Sequence, residues 1–237
     1  MNVHRNTFRS LGLLLIVLQL VLVVSLLIVT QREASALPAV PDPAAWDLPV
    51  PDMALTIESG IERADEVARS WNENAELTFV SMQIDWPRDD PPITVTSVSP
   101  FGWIRFMYVA PIDGAASDYA ALSLMFERVS GQLTNASVTE WDTPPPAEPL
   151  LQGVTVSGET ATLAGELSGG TVFRAACPQE RSHSGTSISI DPVTGDRVWN
   201  VVYRDNSEAA GGPMRISVNA ESGDVQELRS GSATCSA

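Results

Sequence analysis

The apolar residues from Leu11 to Thr30 form one run with no charged residue, interrupted by Gln19 and Ser25 as its only strongly polar positions. A helix of that length rises about 1.5 Å per residue and reaches about 30 Å, the thickness of bilayer hydrocarbon. The run has no polar face, so it predicts an N-terminal transmembrane helix. Beyond it the apolar positions recur with two different periods. Ile61, Ala64, Val67, Ala68 and Trp71 stand at helical intervals behind Ser59 and Glu62, which have the spacing of a capping box. They predict a helix over 60–72, supported by Asp65 and Arg69 as an i,i+4 pair. Val80, Met82, Ile84 and Trp86 then alternate with polar or small residues and predict a strand. Ile104, Phe106 and Tyr108 predict another over 101–110, and a third comes over 119–126.

Prolines divide the rest. Residues 31–53 hold Pro38, Pro41, Pro43, Pro49 and Pro51 among alanines, with few large apolar residues other than Trp46. That composition predicts an extended spacer. Thr143 to Pro149 reads Thr-Pro-Pro-Pro-Ala-Glu-Pro, which continues neither a helix nor a central strand and marks an interdomain boundary. After it, 157–168 fits a short helix around Leu163 and Leu167, against which Gly158 and Gly165 count. From Val172 onward the pattern predicts strands over 171–176, 186–191, 197–204, 213–219 and 223–229. The expected order is a cytoplasmic tail (1–10), a transmembrane helix (11–30), a Pro/Ala-rich linker (31–53), a first module (54–142), a Pro-rich linker (143–149) and a second module (150–237). The expected class is α+β, with each module a helix packed on its own antiparallel sheet.

A nine-residue pattern, apolar-x-apolar-polar-x-x-Ser/Thr-Gly-polar, occurs at 124–132, 188–196 and 216–224. It reads as a strand ending in a tight turn. Glu127, Asp191 and Asn219 begin the turn, where a polar side chain bonds nearby amides, and Gly131, Gly195 and Gly223 take the positive-φ position that closes it. The context repeats as well. A Trp-led strand at Trp103 precedes Gly131, and one at Trp199 precedes Gly223, which predicts a duplicated unit. These strands, with Ile216-Ser-Val-Asn-Ala-Glu-Ser-Gly-Asp-Val225 and the capped helix over 60–72, resemble PepSY-like modules over about 55–140 and 155–230. The resemblance implies small α+β modules that are generally non-catalytic, extracytoplasmic and membrane-associated. They regulate peptidases or bind envelope partners, and the family offers no catalytic residue to carry over.

Composition narrows the chemistry. The chain has a formal charge of −15, and all of its cations are arginines. Arg5 and Arg9 precede the apolar run and no acid does, so by the positive-inside rule the bulk of the chain lies outside the cytoplasm. Past the run, 29 acids face 12 arginines, a net of −17, which repels nucleic-acid phosphates and anionic headgroups. The rival reading of the run is a signal peptide, since Ala34-Ser35-Ala36 permits cleavage after Ala36. In an oxidising compartment Cys177 and Cys235 predict a disulfide, tying the C-terminal tail to an early part of the second module.

Catalytic constellations are not evident. His183 is the lone histidine after the run, in a polar loop without a Gly-x-Ser-x-Gly elbow, and the motifs for zinc hydrolysis, P-loops and dinucleotides are missing. Asp89-Asp90 and Asp205 with Glu208 read as solvated loop acids rather than a calcium site. The sequence therefore predicts a membrane-anchored extracytoplasmic binding or regulatory protein, not an enzyme, with no cofactor or metal. Its expected partners are the lipid bilayer through 11–30 and an envelope protein or peptide, with no nucleic acid. Three alternatives remain open: a hydrolase acting through carboxylates such as Asp89 or Asp90, a secreted binding protein released at Ala36, and a structural or solubility module with no specific ligand.

Overall fold

The computed structural model describes residues 37–46, 48–86, 97–112, 118–176, 183–191, 193–204 and 214–229. After a single 3₁₀ turn at Pro43–Ala45 come helix α1 (Ile57–Trp71) and strands β1 (Glu76–Asp85), β2 (Gly102–Pro111), β3 (Tyr119–Glu127) and β4 (Leu133–Trp141). A second helical segment comes next: α2 (Gly158–Gly165), one π-helical turn at Glu166–Gly170, and α3 (Thr171–Ala176). Strands β5 (His183–Ile190), β6 (Arg197–Arg204), β7 (Met214–Asn219) and β8 (Val225–Arg229) complete the chain.

The eight strands form one antiparallel sheet in the order β4-β3-β2-β1-β5-β6-β7-β8. This corrects the expected architecture. The two helix-plus-four-strand halves do not fold as two modules with separate sheets. β1 pairs with β5 over Ser81–Asp85 and His183–Ser187, and one apolar core runs through both halves. The expected membrane helix is also corrected: among the described residues no helix is long and apolar enough to cross a membrane, and 11–30 lies outside them. Cleavage at Ala36 and the pair Cys177 and Cys235 likewise fall outside the described residues.

Alternation decides which face is buried. Met82 pairs with Ile104 on one side and Thr186 on the other, and Thr186 with Val201, so these residues share a face. All four are fully buried, and both helices lie on that face: Gly60 of α1 abuts the Phe106 ring, and Gly165 of α2 abuts Val201. α1 presents Ile57, Gly60, Ala64, Val67 and Ala68 to the sheet at 3-4 spacing. It starts three residues earlier than its sequence predicts. Thr56 is the N-cap, its Oγ1 accepting from Ser59 N at 3.1 Å while Thr56 N donates to Ser59 Oγ at 3.0 Å. Ser59, expected as the cap, is the N3 partner of a capping box.

The halves are related by an approximate twofold axis at the Ser81–Ser187 pair in the middle of the sheet. Backbone bonds fix the correspondence. Leu55 N donates to Arg128 O and Arg128 N to Gly102 O; in the other half Val156 N donates to Ala220 O and Ala220 N to Arg197 O. Gly102 therefore matches Arg197 and Tyr108 matches Tyr203. Counting from the N-caps Thr56 and Ser157, Asp65 matches Glu166. The Trp-led repeat read from sequence is one residue out of register. Trp199 matches Ile104 in the core, whereas Trp103 matches Val198 and lies on the opposite face.

Thr171–Ala176, expected as a strand, is helix α3. The turn before it bends at Gly169 (φ 131°), and Gly170 lies so close to the Tyr203 ring that no Cβ fits between them.

Candidate functional site

A cleft of about 390 Å³ opens between the C-terminal half of α1, the start of β1 and the proline-rich crossing that joins the two halves. Its apolar lining comes from Ile61, Ala68, Leu77, Leu150 and Leu151, and its charged groups are Asp65, Arg69, Glu76 and Glu148. The crossing is not free to drift. Arg197 of β6 donates from Nε to Leu150 O and from a terminal nitrogen to Pro149 O, both at 2.9 Å, and lies 3.4 Å from the Glu148 carboxylate. The prolines that end regular structure here thus become one wall of a cleft, held by an arginine from the other half.

Tyr108 and Asp65 form the polar wall. The Tyr108 hydroxyl donates to Asp65 Oδ1 at 2.6 Å, and Arg69 reaches Oδ2 at 3.3 Å. Burial pushes the Tyr108 pKa far up, and the hydrogen bond and charge of Asp65 push it the same way. The phenol therefore stays protonated and remains a donor. Arg69 is a weaker partner: its side chain is 72% exposed and its pair with Asp65 is an ordinary i,i+4 surface contact.

The matching position in the other half is closed. Glu166 is fully buried and Arg174 is 6% exposed; Arg174 Nε lies 3.2 and 3.1 Å from the two Glu166 oxygens, and a terminal nitrogen lies 2.7 Å from Oε2. Thr171 Oγ1 adds a bond to Oε2 at 3.0 Å. The guanidinium stacks 4.1 Å over the Trp86 ring, whose Nε1 is held by Ser184 Oγ at 2.8 Å. Among the described residues the Tyr203 hydroxyl has no hydrogen-bond partner, and burial, followed by the Glu166 charge, raises its pKa. One half thus encloses its own guanidinium beside a tyrosine and a carboxylate, and the other leaves that pair in an open cleft.

His183, expected in a loop, is the first residue of β5. Its Nδ1 lies 2.7 Å from Asp85 Oδ1, which also accepts from Gln83 Nε2 at 3.0 Å. Among the described residues no serine or threonine hydroxyl is hydrogen-bonded to His183. Asp89, Asp90, Asp205 and Glu208 lie outside the described residues. Among the described residues no group of three His, Cys, Asp or Glu is placed to hold a metal ion.

The three hairpin turns share one geometry. Glu127 N donates to Gln132 O, Asp191 N to Asp196 O and Asn219 N to Asp224 O, at 2.8–3.0 Å. Gly131, Gly195 and Gly223 have φ of 68°, 78° and 80°. Each leading side chain accepts from the amides two and three residues on: Val129 and Ser130, Val193 and Thr194, Glu221 and Ser222. These residues build the sheet and do not line the cleft.

No protein-family model and no curated protein matches the chain. Among solved structures it matches the crystal structure of a putative lipoprotein from Clostridium difficile 630. Identity is 9% and the TM-score 0.45, over 76% of this chain and 95% of that one. Nothing about function passes between chains at that level of likeness.

Proposed function

We propose that this protein is a non-catalytic extracytoplasmic binding module that takes up a short segment of a partner polypeptide in the cleft beside α1. The observation that carries the reading is the cleft itself, about 390 Å³ with an apolar lining and a single Tyr108–Asp65 pair to orient what enters. Pockets that bind small groups have this make-up, mostly apolar with a few placed polar atoms. The volume suits one or two side chains. The arginine-led apolar segment at the N-terminus supports the extracytoplasmic address, because such segments direct the downstream chain out of the cytoplasm. The acidity of the chain disfavours nucleic acid, and the resemblance to PepSY-like modules favours a peptide or envelope protein.

The test is a peptide-display selection on the folded protein, repeated on Ala147→Trp, whose indole fills the cleft from an exposed position in the crossing. Enriched peptides should bind the wild type and lose binding to the variant. Selection that enriches nothing, or peptides that bind both proteins alike, would overturn the reading.

A further inference from the structure

We propose that the side chain taken up by the cleft is an arginine, held by Asp65 and Tyr108 as Arg174 is held beside Glu166 and Tyr203 in the other half. This rests on the reading of the cleft as a peptide site and names the chemistry of its ligand.

The argument starts from the twofold relation. Asp65 and Tyr108 occupy the positions of Glu166 and Tyr203, counted from the helix caps and from the turn hydrogen bonds. In the second half the carboxylate is satisfied by a guanidinium that presents both Nε and a terminal nitrogen, the fork geometry that distinguishes arginine from lysine. In the first half Asp65 accepts from Tyr108, and among the described residues its only guanidinium contact is the single one at 3.3 Å from the largely exposed Arg69. That contact shields the carboxylate until a better donor arrives.

Charge points the same way. The cleft carries three carboxylates, Asp65, Glu76 and Glu148, against the guanidinium of Arg69, with Glu148 also paired to Arg197 at 3.4 Å. The chain as a whole is at −15, a field that draws cationic segments inward. Tyr108 is a donor to Oδ1, which leaves Oδ2 for the incoming guanidinium once Arg69 turns outward. Leu77, Pro146 and Pro149 line the cleft with apolar surface suited to the methylene stem, which arginine buries while its head stays polar.

The probe is a fluorescein-labelled, capped peptide Ala-Leu-Arg-Leu-Ala, compared by anisotropy with versions carrying citrulline or lysine at the centre. Citrulline keeps the shape of arginine and removes the charge. The arginine peptide should bind saturably, at least about tenfold tighter than the citrulline peptide, with lysine between them. Asp65→Asn should abolish that difference and leave citrulline binding unchanged. Arg69→Ala changes a largely exposed side chain, so its folding is not in question, and it should tighten arginine binding about threefold or more by removing the competitor. If the arginine peptide does not bind, or Asp65→Asn leaves the arginine-to-citrulline ratio intact, the inference falls. If arginine and citrulline peptides bind equally and both are lost in Ala147→Trp, the peptide site stands and its arginine specificity does not. An empty display selection overturns the site itself.

Discussion

Glu159 carries its carboxylate into the contact between the two halves, 3.6 Å from Arg128, and among the described residues no donor stands in hydrogen-bond geometry to either oxygen. Burial is the largest influence on it and raises its pKa; the backbone amides of Glu159 and Ile57 and the charge of Arg128 pull it down, and the nearby Glu58 raises it further, leaving it raised. A carboxylate whose folded pKa is raised holds its proton longer in the native state than in the unfolded one, so stability falls as pH rises between the two values. Urea unfolding from pH 4 to 8 should show the wild type losing stability relative to Glu159→Gln through that window, then running parallel above it. Glu127 has the opposite sign. Burial raises its pKa, but the Ser130 and Val129 donors outweigh that and lower it. Its share of stability is therefore present above the ordinary glutamate range and lost on acidification.

The turn glycines separate conformational strain from crowding. A Cβ at Gly195 meets nothing within 4 Å, whereas one at Gly131 meets Pro51 Cδ at 2.8 Å and Arg63 at 2.9 Å. Gly195→Ala should cost about 1 kcal/mol for the left-handed backbone alone, and Gly131→Ala about 2–3 kcal/mol, both read from urea midpoints. Turns of this kind are legible in the sequence because the leading polar residue and the closing glycine act within nine residues of chain. The Asp85–His183 contact is not. Its partners stand 98 residues apart, and only the pairing of β1 with β5 brings them together.

At the scale of elements, β2 and β6 show how one residue of register changes a side chain's surroundings. Trp199 is fully buried, and its Nε1 donates to Val156 O at 2.8 Å. Trp103 pairs with Gln83 and Glu127 on the face away from the helices. Because strand side chains alternate, aligning the two tryptophans as equivalents puts them on the wrong relative faces. Trp199→Ala should destabilise by about 3–5 kcal/mol and Trp103→Ala by less than about 1 kcal/mol, as measured by chemical unfolding. The helix before β1 is legible from its 3-4 spacing, although its cap lies upstream of the serine that the spacing favours. Thr171–Ala176 is not legible. Its Thr-Val-Phe start has strand propensity, but the residues continue the second helical segment after its π turn, where Phe173 is buried near the Tyr203 ring at a centroid distance of 6.1 Å. Packing overrides local preference there. The cleft is legible only in part: the proline run is visible, but not the Arg197 bonds that make it a wall.

At the scale of the whole molecule, the duplicated pattern is visible in sequence while the fusion is not, because alternation within a strand does not reveal which strand lies beside it. Two linkers and two repeats suggest two modules. The seam between β1 and β5 makes one sheet, and Gly158 packs against Ile57 across the halves, where an added Cβ would lie 2.5 Å from the Ile57 side chain. Residues 37–142 and 143–237, produced separately, should each fail to show a cooperative melt, and mixing them should restore one in proportion to complex formed. A sharp transition in either piece alone would mean that the seam is not needed for folding.

The central Ser81–Ser187 pair also bears on the order in which the chain assembles. The neighbours β3–β4, β5–β6 and β7–β8 are joined by short turns and can form early, at little cost in loop closure. The seam must bring together strands about 100 residues apart, and such distant pairings are slow because closure precedes the contacts that reward it. Substitutions in the early hairpins and at the seam should therefore slow refolding, and those in contacts made only once the seam has closed, such as Gly158 against Ile57, should chiefly speed unfolding. Kinetically the axis of the sheet is its last closure, the step at which two half-formed meanders become one molecule.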